Sequence, residues 1–99
     1  MLRHIILWKL KDTADPAEIP AIKSRVKESL EALVGVIEGL EELTVHTEGL
    51  DSSSADMMLE SKLKDADALA FYRDHPEHVK AATYVRSVVD VRLCLDFEE

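Results

Sequence analysis

The fold of this chain depends on nine residues, Phe71-Tyr72-Arg73-Asp74-His75-Pro76-Glu77-His78-Val79. Proline disfavours the helical conformation in the residue before it, so a helix that ends near Asp74 is predicted to break at His75. Pro76 suits the first position of a second helix, because the N–H that proline lacks would have no partner there. His75 is then the N-cap, and His78 lies in the first turn. Since the positive end of a helix disfavours imidazolium, the break is a candidate site for a neutral, proton-accepting histidine.

Strand and helix patterns alternate on both sides of this break. Apolar residues mark a strand over residues 2–11. Asp15-Pro16-Ala17-Glu18 has the pattern of an N-cap, a first-turn proline and a capping-box glutamate, and an apolar stripe continues this helix to about Ile37, with Gly39 as its stop. Pro20 conflicts with that start, so the helix either begins late or bends there. The other predicted elements are strands over residues 43–48, 56–63 and 89–97, and a helix over residues 65–88 that is interrupted at the break.

The resulting order of strand, helix, strand, strand, helix, strand is that of a ferredoxin-like α+β domain. We therefore predict a single domain over residues 1–99, with a four-stranded antiparallel sheet and both helices on one face. Strand 1 carries Ile5 and Leu7 on one face and an apolar set that includes Trp8 on the other, so both faces of the sheet need a cover. Because the chain has no spare element, we expect a homodimer whose two sheets face each other and enclose a cavity.

Composition restricts the partners and the compartment. A net charge of −8 without a dense Lys/Arg cluster argues against binding to nucleic acid or to an anionic membrane surface. Cys94 is the single cysteine, so the sequence predicts neither a disulfide framework nor a thiolate zinc site, and a reducing, cytoplasmic setting is expected. The N-terminus lacks the layout of a signal peptide, and no apolar segment approaches the roughly 20 residues of a membrane span.

Three segments together resemble a known family. They are His4-Ile5-Ile6-Leu7-Trp8-Lys9-Leu10-Lys11, Lys64-Asp65-Ala66-Asp67-Ala68-Leu69 and Tyr72-Arg73-Asp74-His75-Pro76-Glu77-His78-Val79. They are similar to the stress-responsive A/B barrel family, the dimeric α+β barrel proteins, and the resemblance runs from residue 1 to about residue 97. It implies a dimer of ferredoxin-like protomers, with a barrel interior between the two sheets and the helices outside.

The resemblance also implies site residues. Within the family the sequence resembles olivetolic acid cyclase, which closes a linear polyketide by aldol condensation. By this resemblance the catalytic histidine corresponds to His78, its assisting tyrosine to Tyr72 and a pocket histidine on strand 1 to His4. A second pocket tyrosine of that enzyme lies on helix 1, where this chain has Val26 and Lys27.

Three functions are compatible with these residues. In the first, the protein is an enzyme that moves protons on a carbonyl compound in the barrel cavity, as a cyclase or isomerase does. His78 removes a proton next to the carbonyl, Tyr72 donates a hydrogen bond to the developing enolate, and His4 orients the ligand or His78.

In the second, His75 and His78 only tie the helix break to backbone groups. The protein is then a non-catalytic, stress-linked dimer or a carrier of a small apolar ligand. The third is a cofactor-free oxygenase or a haem-handling protein, which Trp8 on the His4 face supports. The sequence leaves open whether the protein is an enzyme.

No cofactor or metal is expected from the sequence. His75 and His78 are three residues apart but lack a third ligand at a suitable spacing, and Cys94 is expected to be a small packing residue. Some members of the family hold a cation through backbone carbonyls at the end of helix 1. Carbonyl ligands need no particular side chains, so such a site has no side-chain signature. In this chain the corresponding residues are Val34, Ile37 and Leu40.

Overall fold

Seven elements follow one another in the computed structural model, which describes all residues 1–99. They are β1 (Leu2–Leu10), α1 (Ile19–Glu31), β2 (Leu40–His46), β3 (Met57–Leu63), α2 (Ala66–Asp74), α3 (Pro76–Val88) and β4 (Val89–Glu98). The predicted break separates α2 from α3 at His75, so the order is that of the predicted βαββαβ chain with its second helix in two parts. None of the three helices combines the length and the apolar composition that crossing a membrane requires.

The four strands form one antiparallel sheet in the order β2-β3-β1-β4. β1 lies in the interior of the sheet, where His4 is opposite Ser61 of β3 and Asp96 of β4. The predicted ferredoxin-like topology is therefore confirmed. The register matters for the site, because it brings residues from the two ends of the chain side by side.

The helices cover one face of the sheet. Along β1 the residues that include His4 and Trp8 are buried beneath them, whereas Leu7 on the other face is exposed. Burial of the apolar side chains between the sheet and the helices provides the main stabilisation of the fold. These core residues are Leu2, Ile6, Trp8, Leu10, Val26, Leu30, Leu33, Ile37, Leu40, Leu43, Val45, Met57, Leu59, Leu63, Tyr72, Ala81 and Val85.

The start of α1 differs from the prediction at Asp15. The N-cap is Glu18 rather than Asp15, whose carboxylate accepts a hydrogen bond from the Ala17 N–H at 3.0 Å within a preceding turn. Pro20 then lies in the first turn of α1, where a backbone N–H has no intrahelical partner in any case. Of the two alternatives for Pro20, the late start is confirmed.

The end of α1 also differs, because the helix stops at Glu31 and not near Ile37. Leu33 and Ile37 nevertheless remain buried, since the turns that follow keep them against the core. Gly39 is not the helix stop but the residue before β2, with a φ of +90°. A Cβ at this position would lie 2.7 Å from Cβ of Ala68, so both the backbone conformation and the close approach of α2 require glycine here.

Candidate functional site

A cavity of about 720 Å³ lies between the sheet and helices α2 and α3. His4, Tyr72 and His78 all line it, together with a majority of apolar residues. We expected these three residues to line a cavity between two facing sheets. That placement is wrong. The reason is that His4 lies on the face of β1 that the helices cover, so this cavity forms within one chain.

The helix break positions two of the three side chains. His75 is the N-cap of α3, as predicted, and its Nδ1 accepts a hydrogen bond from the Glu77 N–H at 3.1 Å. Its own backbone N–H donates to the Tyr72 carbonyl at 3.2 Å and closes α2. The turn brings Tyr72 near the end of α2 against His78 in the first turn of α3, with ring centroids 4.2 Å apart.

The tautomer of His78 follows from its hydrogen bond. Nδ1 lies 3.0 Å from the Arg73 carbonyl oxygen, and because a carbonyl only accepts, Nδ1 carries the proton. In the neutral ring the lone pair is therefore on Nε2. Burial is the largest cause that lowers the pKa of His78 from its ordinary value, although the Arg73 carbonyl acts in the opposite direction. The predicted neutral histidine is thus supported, with burial rather than the helix end as the main physical reason.

Tyr72 has an unusual environment for a phenol. Its side chain is only 2% exposed, and its hydroxyl is buried without a hydrogen-bond partner. Burial raises the pKa of Tyr72, with Arg92 acting weakly in the opposite direction, so the hydroxyl stays protonated. The Tyr72 hydroxyl is therefore a buried donor that no protein group accepts from.

His4 projects from β1 and is 6% exposed. Its Nδ1 is hydrogen-bonded to the Asp96 carboxylate on β4, and its ring makes an edge contact with Tyr72 at 6.2 Å between centroids. Its backbone carbonyl accepts the Ser61 hydroxyl at 2.9 Å. The three predicted residues thus lie in one cavity, with the Tyr72 ring paired to both histidine rings.

Sequence reasoning missed the contribution of β4 to the cavity. Its polar residues Asp90, Arg92, Cys94 and Asp96 all line the cavity. The signal was present in the strict alternation of β4, but only the antiparallel register places these residues on the same face as His4.

Cys94 is not the packing residue that the sequence suggested, because it is exposed and lies beside other polar groups. Its Sγ lies 3.7 Å from His4 Nδ1 and 3.5 Å from Asp96 Oδ1. Partial loss of solvent around the sulfur, followed by the charge of Asp96, raises the pKa of this thiol, so it is neutral near pH 7. A neutral thiol is a weak nucleophile, which argues against covalent catalysis by Cys94.

The structure does not bring His75 and His78 together as a pair of metal ligands. Nδ1 of His75 is occupied by the Glu77 N–H, and Nδ1 of His78 by the Arg73 carbonyl. His46, on β2, is exposed as predicted and lies 3.1 Å from a Glu60 carboxylate oxygen.

Comparison with known proteins gives a consistent result. The family model of the stress responsive A/B barrel domain matches residues 2–99. No curated protein matches the sequence. A dimeric protein of unknown function with a ferredoxin-like fold from Bacteroides fragilis is 30% identical, with a TM-score of 0.92 over 99% of this chain and 95% of that chain.

Two further solved structures share the fold at lower identity. One is a family member from Mesorhizobium loti, 20% identical, with a TM-score of 0.75 over 99% of this chain and 95% of that one. The other is a hydroxynitrile lyase from Passiflora edulis, 14% identical, with a TM-score of 0.75 over 97% of this chain and 90% of that one. At these identities the similarity establishes the fold and not the reaction.

Proposed function

The chain belongs to the stress-responsive A/B barrel domain family, and we propose that it binds a small carbonyl compound in its cavity and moves protons on it. The observation that carries this proposal is the buried, unpartnered hydroxyl of Tyr72 next to His78. His78 is the general base, Tyr72 is the hydrogen-bond donor to the carbonyl oxygen, and His4 orients the ligand.

The unpartnered hydroxyl needs an explanation, because a buried polar group without a hydrogen bond costs about 1–3 kcal/mol. A ligand oxygen that accepts a hydrogen bond from Tyr72 would remove this cost. A donor held in place by the protein stabilises negative charge that develops on an oxygen, as in an enolate. The environment of Tyr72 therefore favours a carbonyl ligand over a hydrocarbon.

His78 has the properties of the matching base. Its Nε2 lone pair is left free by the Arg73 hydrogen bond, and burial keeps the ring neutral. A base of this kind contributes about 10²–10⁴-fold to the rate of proton transfer. Nε2 accepts a proton from the carbon next to the carbonyl, and the electron pair of the broken C–H bond forms the enolate whose oxygen Tyr72 binds.

The proton then leaves His78 in one of two ways. In an isomerisation, the imidazolium returns it to a different atom of the enolate. In a ring closure like that of a polyketide cyclase, the enolate carbon attacks a second carbonyl of the same molecule, and the proton goes to the alkoxide that forms. Both routes restore neutral His78 and need no oxidant or reductant.

The ligand is expected to be small and mostly apolar. The cavity volume is in the range of small-molecule sites, and the majority of its lining is apolar, with polar groups at a few positions. Helix α1 contributes Leu30 to this lining but no hydroxyl group. At the position of the second tyrosine of olivetolic acid cyclase, Val26 is buried in the core and Lys27 is bonded to Glu31. We therefore expect a substrate whose far end is apolar.

We also propose that the protein is a homodimer formed through the open face of the sheet. Leu93 and Leu95 of β4 are 62% and 64% exposed on that face, beside Leu7 and Phe97. Exposed apolar patches of this kind mark interaction sites. The relative from Bacteroides fragilis is dimeric, which supports a second copy as the cover.

The test of the proposed chemistry is proton exchange. The protein is incubated in D₂O with a panel of small ketones and β-diketones, and deuterium at the carbon next to the carbonyl is followed by NMR. We expect catalysed exchange for at least one compound and a loss of about 100-fold or more in His78→Gln. The matched control is His46→Gln, which makes the same change at an exposed site outside the cavity.

The results separate the alternatives. If no carbonyl compound exchanges but one binds in the cavity and quenches Trp8 fluorescence, the protein is a carrier. If exchange persists in His78→Gln, the role of His78 is wrong. If nothing binds or exchanges, the non-catalytic interpretation is favoured.

A further inference from the structure

Three donor atoms of different chemistry meet at the β4 side of the cavity. Nδ1 of His4, Sγ of Cys94 and a carboxylate oxygen of Asp96 all lie within 4.8 Å of one another. We propose that these three side chains form a binding site for a divalent transition-metal ion, with zinc as the preferred metal and one coordination position open.

The distances fit a tetrahedral ion. Sγ of Cys94 lies 3.7 Å from His4 Nδ1 and 3.5 Å from Asp96 Oδ1. Zinc bonds of about 2.0–2.3 Å place neighbouring ligand atoms of a tetrahedron about 3.3–3.8 Å apart. The third pair, His4 Nδ1 and Asp96 Oδ1, is hydrogen-bonded and closer. Metal binding would replace the bridging proton, and a rotation of the partly exposed Asp96 side chain would open this pair.

The backbone places the ligands in advance of any metal. His4 and Asp96 are register partners on β1 and β4, and Cys94 is two residues from Asp96 on the same face of its strand. The hydrogen bond from Ser61 to the His4 carbonyl ties β1 to β3 at this point. Sites built on paired strands need little rearrangement, which favours binding.

The ligand set and the charges agree with a dication. Nitrogen, sulfur and oxygen donors together suit zinc, and three protein ligands with one open position are the arrangement of catalytic zinc sites. A coordinated thiol loses its proton, so the thiolate and the carboxylate supply two negative charges. Arg92 lines the cavity beside Cys94, and its charge opposes a cation there. Arg73 and Arg86 also line the cavity.

Such a site differs in kind from the His78–Tyr72 pair. It uses side chains of β1 and β4, whereas the pair lies on α2 and α3. An ion at this position would add a second electrophile to the cavity that contains the Tyr72 hydroxyl. The existence of the site does not depend on the proposed carbonyl chemistry, and it can be tested without any substrate.

The test uses Co²⁺ as a spectroscopic probe for the reduced, metal-free protein. We expect one ion per chain and a thiolate-to-cobalt charge-transfer band that Zn²⁺ abolishes by competition. Cys94→Ser should remove the band. Asp96→Asn should weaken binding by at least about tenfold, since even residues outside the ligand set change metal affinity by that factor. Both positions are exposed on an edge strand, so the fold should tolerate the changes.

Matched variants make the result specific. His46→Gln removes a histidine that lies beside Glu60 on the other face of the sheet, and it should leave cobalt affinity unchanged. Arg92→Gln should raise the affinity, because it removes the opposing charge. The proposal is overturned if one equivalent of Co²⁺ gives no charge-transfer band, or if Cys94→Ser and Asp96→Asn bind Co²⁺ as tightly as the original chain.

Discussion

The two faces of the sheet have opposite characters along β4. On the helix-covered face this strand presents Arg92, Cys94 and Asp96 to a cavity, whereas on the open face it exposes Leu93 and Leu95. A strand at the surface of a soluble monomer usually buries its apolar side and exposes its polar side. In β4 the apolar side chains are exposed as well as the polar ones. This agrees with the two proposals, a ligand cavity on one face and a dimer interface on the other.

Central β1 shows the same contrast in a milder form. His4 is buried beneath the helices, and Leu7 is exposed on the open face. A polar residue in the core is tolerated because Asp96 satisfies its Nδ1. The exposed apolar residue agrees with the proposed second copy of the chain as a cover.

The largest effect is expected from a charge on the open face. Leu95→Asp should convert the proposed dimer to monomers and weaken association by at least about a thousandfold, because two carboxylates would lose water at several kcal/mol each. Native mass spectrometry and light scattering measure this change. Leu50→Asp is the control, since Leu50 lies in a loop and is 82% exposed. A Leu95→Asp protein that stays dimeric would place the interface elsewhere.

A smaller effect, on the stability of the fold, is predicted for a change on the covered face, and its sign is unexpected. Tyr72→Phe removes a buried hydroxyl that has no partner, so it should raise the free energy of unfolding of the ligand-free protein by about 1 kcal/mol. The same change should weaken binding of a carbonyl ligand. Urea denaturation measures the first effect and titration the second.

The control for this prediction is Tyr84→Phe. Tyr84 lies outside the cavity, where Arg25 stacks on its ring at 3.7 Å, and this contact survives the loss of the hydroxyl. A destabilised Tyr72→Phe protein would mean that the hydroxyl has a partner in solution, and the main support for the carbonyl ligand would be lost.

The smallest effect concerns pH and His78. In the unfolded chain its pKa is the ordinary value of about 6.5, and in the folded protein burial lowers this pKa. Between the two values the unfolded chain binds more protons. The contribution of His78 to stability is therefore complete above about pH 7.5 and falls as the pH drops below about 6.5.

Denaturation series from pH 5 to 8, at one protein concentration, measure this contribution. His78→Gln should show a shallower loss of stability at acidic pH than the original chain. Equal slopes for the two proteins would mean that the folded state does not lower the pKa of His78, and they would remove the argument that burial keeps it neutral.

Much of the fold could be predicted from local patterns. Pro76 forced the break at His75, and alternation marked the four strands, because proline geometry and side-chain periodicity act over a few residues. The limits of α1 were predicted less well. The apolar stripe continues to Ile37, and turns after the end of the helix keep that residue buried. An apolar stripe alone does not distinguish such turns from helix.

The candidate site was predictable only in part. Tyr72 and His78 are close in sequence, so the break itself was enough to predict that they converge. The side of the sheet on which His4 meets them was not predictable, because strand 1 is apolar on both faces and either could have been covered. The unpartnered state of the Tyr72 hydroxyl depends on every neighbour around it.

By itself, the sequence determined the order of the elements, the helix break and the need for a cover on both faces of the sheet. These features follow from local backbone preferences and from the periodicity of apolar residues. Only the tertiary structure decided that Asp96 and Cys94 lie against His4, across 92 and 90 residues of chain, and that the cavity is on the helix side. The physical reason is that strand register and the choice of covered face arise from packing of the whole chain, which no short segment specifies.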